Sequence, residues 1–234
     1  MITALFLAAL PTSLAALPPA VIAPVQIAQD DAAEEPGDEA ADEQKPKRAT
    51  AWPGVPKDIK KELKTQLGRL RKANTEEMAE GGRAELIKMG ALAAPDLLKA
   101  LGKEKSEDGR GRIADVLDEI TGWEHTRLLA KEFGNRSADV RLLALRRASA
   151  FPDKGIAKDA LAAFDAAEKR LDTKKEVKHE LYYSALAVVS AGDLKGIAVL
   201  SKRAENLWGK SGAEIRLAVE AVRGEAATSM LCEH

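Results

Sequence analysis

The residues that could carry chemistry in this chain are few: three histidines, one cysteine and some paired acids. His125 follows Trp123 by two positions, His179 follows Lys178, and His234 ends the chain. Neither His125 nor His179 has a second histidine or cysteine at ligand spacing, so no metal is expected. Cys232 is the sole cysteine, which excludes an intrachain disulfide. Asp115 and Asp118 stand three apart on a helical stretch and read as a solvated face. The glycines at Gly81-Gly82 and from Gly109 to Gly111 lie inside helical runs, as close-packing or loosened positions. There is no glycine-rich phosphate loop after a strand, no nucleophile elbow and no His-Glu-x-x-His. Catalysis needs tuned groups converging in a cleft. The expectation is a protein that is not an enzyme, with no catalytic residue, no cofactor and no metal.

Basic and aromatic residues suited to binding are better represented. Arg146, Arg147, Lys178, His179, Tyr182, Tyr183, Arg216 and Arg223 form the candidate set, with Arg146, Arg147, His179, Tyr182, Tyr183 and Arg223 its chief members. Adjacent helical residues point in different directions, so Tyr182 and Tyr183 cannot both face a core. One is expected inside, and the other is available to a partner. Arg110, Arg141, Lys178 and Arg216 recur at one position of a repeated pattern. There they are expected to pair with an acid of the neighbouring unit. Trp123 and Trp208 fall near helix ends and read as packing between units.

The elements that position these residues are helices. Ala, Leu, Lys, Glu and Arg are abundant and aromatics make up only 4% of the chain, a mixture that favours helix over strand. Ile59, Leu63, Leu67 and Leu70 recur at helical spacing and give a first helix to about Ala73. Asn74 with Glu77, Thr121 with Glu124, Thr173 with Glu176 and Ser211 with Glu214 have the capping-box form, with Ser106 and Ser137 as weaker caps. Gly90, Gly102, Gly122, Gly134 and Gly209 fall where helices should stop. About ten helices and no strand result.

A repeat aligns them. Positions 79, 110, 141, 178 and 216 each open a helix and lie 31, 31, 37 and 38 residues apart. The residues expected to face inward are Leu86; Ile113 and Leu117; Leu142 and Leu145; Leu181 and Leu186; Val219 and Val222. Partner helices carry Leu97-Leu98-Leu101, Leu128-Leu129-Phe133, Leu161-Phe164 with Leu171, and Ile197-Leu200 with Trp208. A helix pair of this length repeated about five times predicts an all-α fold, an α-solenoid of stacked pairs.

The stretch from Arg83 to Leu101, RAELIKMGALAAPDLLKAL, resembles the bacterial HEAT-repeat pattern, and so do Asp139-Val140-Arg141, Glu176-Val177-Lys178 and Glu214-Ile215-Arg216. In that family an outer helix with a proline near its start precedes an inner helix opening Asp-x-Val-Arg. The resemblance covers about 57–225 and brings no catalytic residue with it. Ala79 stands for the basic residue in the first unit, and Gly109 for the valine in the second. The resemblance implies that second helices line a concave surface that holds the partner.

The N-terminal quarter has a different composition. Residues 1–28 contain no charged side chain, and Ile2 to Leu10 is an apolar run followed by Pro11, Pro18, Pro19 and Pro24. This predicts a signal peptide with cleavage after Ala28, and an N-terminal membrane tether is the alternative. No basic residue precedes the run, and Gln26 stands where a small residue is usual. Residues 29–55 are low in complexity, with eight acids and no base between Asp30 and Glu43. They predict a disordered acidic linker, with Trp52 docking on the first helix as a lid. The solenoid is expected over 56–226, and 227–234 form a tail. No polar capping helix follows the fifth unit, which predicts weak self-association.

Together these readings predict an exported, non-enzymatic scaffold that binds a protein or peptide on its concave face, with no membrane insertion after signal cleavage. The alternative is a nucleic-acid-binding protein. Without the eight linker acids the chain holds 36 basic against 29 acidic residues, but an export signal argues against DNA as the client. Accessory lyase-type HEAT proteins acting on bilins are a third class, for which no distinctive residue set is present.

Overall fold

A computed structural model describes residues 47–171 and 177–207. Among the described residues there are nine α-helices and no strand. They are α1 (Lys57–Arg71), α2 (Glu76–Met89), α3 (Ala94–Leu101), α4 (Glu107–Ile120), α5 (Thr126–Ala130), α6 (Ala138–Ala150), α7 (Ala157–Leu171), α8 (Val177–Ser190) and α9 (Leu194–Leu207). Short 3-10 turns at Gly90–Leu92, Trp123–His125 and Lys154–Ile156 precede α3, α5 and α7. The same unit, a tight turn and two helices, therefore occurs three times in succession. The expected caps at Thr173 and Ser211, Trp208, the fifth inner helix, the signal peptide and the tail lie outside the described residues.

Helices pack within the pairs α1–α2, α3–α4, α5–α6 and α7–α8, and the even-numbered helices α2, α4, α6 and α8 each pack on the next. Helical spacing of apolar residues drives both contacts. In α4, Ile113, Val116, Leu117 and Ile120 are buried; in α8, Val177, Leu181, Ala185 and Val188 are. Each fully buried Leu or Ile contributes roughly 1.5–3 kcal/mol. Alanines make the approach close, with Ala160, Ala163 and Ala167 on α7 and Ala185 and Ala187 on α8 all buried.

Several expected details differ. Gln66, not Leu67, is buried on α1, because the inward stripe runs 63, 66, 70. Leu143 is buried on α6, while Leu142 is only partly so, and Leu161 and Leu186 are also half-buried. The second helix starts one residue late: Thr75, in extended conformation, accepts the amide of Met78 at 3.3 Å, so Asn74 is not the cap. Thr121 closes α4 instead of opening a helix, and its hydroxyl donates to the Leu117 carbonyl at 2.6 Å. Gly90 ends α2 at φ 57, a left-handed conformation that only glycine adopts without strain.

The largest difference lies before α1. Residues 47–55 do not stand free as a spacer but cross to the turns that precede α5 and α7. The Ala49 amide donates to the Glu124 carbonyl at 2.9 Å, and Trp52 stacks on His125, not on the first helix. A tryptophan and an arginine find buried partners there, which outweighs the cost of ordering a few residues.

Candidate functional site

The even-numbered helices carry most of the predicted binding residues. Arg146 and Arg147, side by side on α6, both turn to Asp118 of α4. Arg146 hydrogen-bonds it directly. Arg147 donates to the Thr121 carbonyl, lies 4.6 Å from the centre of the Phe151 ring, and holds its Nε 3.8 Å from Asp118 Oδ1. That Nε and that oxygen are both buried and neither makes a hydrogen bond. Burial pushes the Asp118 carboxyl above its usual pKa despite the two guanidiniums. Asp118 is thus no solvated acid: α6 covers it, while Asp115, a turn earlier, stays exposed.

On α8 the two tyrosines touch each other edge to face, ring centres 5.0 Å apart at 72°. Both are half-buried against the core, so neither is the fully buried member the sequence led one to expect. Burial, with the neighbouring Tyr183 second, raises the Tyr182 pKa. Neither hydroxyl hydrogen-bonds among the described residues. His179 is exposed. Arg223, Arg216 and the side chain of Lys178 lie outside what is described. The α6 arginines and the α8 tyrosines sit on packed neighbours, but no ion or ring contact joins the two groups among the described residues.

The recurring basic position behaves as a ladder. Arg110 pairs with Asp139 at 3.5 Å, and Arg141 reaches Glu180 of α8 at 2.7 Å, both across to the next even helix. Glu180, with its side chain 4% exposed, also takes Arg170 at 2.8 Å. Arg141 further donates to the carbonyls of Asn135 and Arg136 at 2.7 and 3.1 Å. Removing one member of such a buried cluster costs about 3–5 kcal/mol, since it leaves uncompensated charge. Arg83 reaches Glu119 from α2 to α4 in the same manner.

A second cluster was not anticipated. Arg48 meets Asp153 at 2.7 Å, lies 4.8 Å from the centre of the Trp123 ring, and points at the carbonyls of Trp123 and Pro152 at 3.4 and 3.3 Å. Trp52 lies on the imidazole of His125 with ring centres 5.2 Å apart at 12°. His125 Nδ1 accepts the Gly122 amide at 3.2 Å, and burial holds its pKa below the usual imidazole range, with Glu124 opposing. Asp153 also takes Arg127 at 2.8 Å and the Gly155 amide at 2.8 Å. These partners outweigh its burial and keep the carboxyl below its usual value. The one signal in the sequence was an aromatic residue inside an otherwise polar spacer, which a disordered segment does not need.

Among the described residues no group of three His, Cys, Asp or Glu side chains is placed to hold a metal ion. No described helix is long and apolar enough to cross a membrane. The class that fold and surfaces define is an all-α protein whose successive helices are tied by arginine–carboxylate pairs. No protein-family model, no curated protein and no solved structure matches the chain.

Proposed function

We propose that the chain is a non-enzymatic α-solenoid scaffold of the HEAT-like type, exported, that binds a protein or peptide along the row of even-numbered helices. The observation that carries this reading is the contact order: α2, α4, α6 and α8 pack one on the next, each backed by an odd-numbered partner. Such a row presents one continuous surface assembled from equivalent positions, the kind of surface on which helical repeats hold extended partners. The half-buried tyrosine pair supplies the aromatic anchor typical of such contacts. Arg83, Arg146 and Arg147 are turned to Glu119 and Asp118, so the face is largely neutralised. That favours a polypeptide over a phosphate backbone.

The test compares partner capture from the envelope fraction by the wild-type chain and by a Tyr183→Ala/Arg146→Glu variant, followed by titration of the purified pair at two salt concentrations. A specific partner lost in the variant, with modest salt dependence, supports the reading. Retention by the variant sinks it. A steep loss of affinity with salt instead points to nucleic acid.

A further inference from the structure

The cluster at the turns before α5 and α7 is where residues 47–52 are seated, and its construction goes beyond what holding down a chain end requires. Asp153 is already satisfied without Arg48: Arg127 neutralises it, and the Gly155 amide caps it. Its side chain is 3% exposed, so it is a fixed acceptor. Around it the carbonyls of Trp123 and Pro152 and the Trp123 ring complete a guanidinium socket. This combination of planar cation, carboxylate and aromatic face is chemistry that arginine fills and lysine does not.

Next to the socket, the Glu124 carbonyl takes a main-chain amide, and the His125 ring offers a flat surface to an aromatic side chain. Trp52 packs against the hydrophobic core as well. Lys47, Thr50, Ala51, Pro53 and Gly54 are exposed, and only Arg48, Ala49 and Trp52 between them are covered. An arginine and an aromatic residue four positions on, with a backbone contact between, is the pattern of a short linear motif read in extended form. Trp52 itself forms one wall of an open cleft of about 280 Å3 whose other walls are Pro95, Leu98, Lys99, Glu132 and Asn135. The chain's own segment does not fill it.

We propose that the surface of Trp123, His125 and Asp153 is a recognition site for an extended segment of a partner protein carrying arginine and, four residues later, an aromatic side chain, and that Arg48–Trp52 occupies it as a tethered competitor. A second copy of the chain is a poor occupant. Its own segment is held in cis at the high effective concentration that a short tether gives. The site lies at the connections between helix pairs, so its test and that of the even-helix row fail independently.

The experiment uses the full chain as wild type and as Arg48→Ala/Trp52→Ala, with helicity checked by circular dichroism. The probe is a fluorescent peptide of the sequence Pro-Lys-Arg-Ala-Thr-Ala-Trp-Pro-Gly. Fluorescence anisotropy is expected to give binding to the vacated variant and at least about tenfold weaker binding to wild type, because the tethered segment competes. Replacing the peptide's arginine or tryptophan with alanine, or adding Asp153→Asn to the vacated chain, is expected to abolish most of the signal. Should the double variant lose helicity, Arg48→Ala alone opens the socket and is expected to fall between the two. No binding to any vacated chain, equal binding to vacated and wild-type chains, or indifference to the peptide's arginine and tryptophan overturns the proposal. Dimerisation of the wild-type chain that vanishes in the double variant overturns the choice of a separate partner.

Discussion

His125 is neutral where it stands. Its Nδ1 accepts the Gly122 amide, which a protonated ring could not do, and its face is covered by Trp52. Burial lowers its pKa, while Glu124 at 3.4 Å pulls weakly the other way. A base with a depressed folded pKa contributes stability that is complete above its unfolded value, about pH 6.5, and is lost as pH falls through the lower folded one. The urea midpoint, and the shielding of Trp52 fluorescence, are therefore expected to decline between pH 7.5 and 5. His125→Gln, whose amide oxygen can still accept from Gly122, is expected to flatten that decline. Asp153 is held ionised below the usual carboxylate range and is silent in this window. Asp118, raised by burial, acts with the opposite sign, so the informative quantity is the difference between the two proteins. In the sequence His125 was readable only as a histidine without a ligand partner. What defines it, a ring from position 52, is a long-range contact that local pattern does not encode.

Gly81 and Gly82 in α2 separate two effects that the sequence left together. A Cβ on Gly82 would lie 3.0 Å from the Leu70 amide nitrogen, 3.1 Å from the Gln66 carbonyl oxygen and 3.3 Å from Arg69 Cβ. The two nearest atoms are α1 backbone and cannot swing away. A Cβ on Gly81 meets nothing within 4 Å. Gly81→Ala is thus expected to stabilise the protein by about 0.5–1 kcal/mol through helix propensity. Gly82→Ala is expected to destabilise it by about 1–2 kcal/mol net, because α1 and α2 must separate. Urea denaturation of the two single variants distinguishes them. Helices were the most legible elements of this chain, since their apolar period of 3.6 survives in each buried stripe. Their ends were less so: Thr75 rather than Asn74 caps α2, and Thr121 closes α4. A capping residue is chosen by the backbone angles of the preceding turn, and neighbouring Asn and Thr compete for the post on nearly equal terms.

Among the described residues the main helix-to-helix contacts join helices no more than three apart in the order, as in α1 with α4. Arrays held by near neighbours unfold in parts, each pair with its own stability. The segment before α1 breaks that rule by joining residue 48 to Trp123 and Asp153. It acts as a brace between the first helix and the third and fourth pairs. In the Arg48→Ala/Trp52→Ala chain, amide exchange in α1 and α2 is expected to accelerate while α6 and α8 keep their protection, and the urea transition is expected to broaden. Unchanged exchange in α1 and α2 would mean the brace bears no strain. The all-α class was legible because composition and period agree along the described residues from Lys57 onward. The brace was not, because low-complexity composition describes the average of a segment and hides two anchoring residues within it.

The separation of those anchors has a bearing on biogenesis. Arg48 binds the Pro152 carbonyl 104 residues further on, and closing so long a loop gains nothing until both ends are built. A nascent chain elongating at roughly 5–20 residues per second leaves its N-terminal clasp dangling for seconds after the first helices have emerged. Its closing begins only when the turn before the fifth helix is built and is completed at the turn before the seventh.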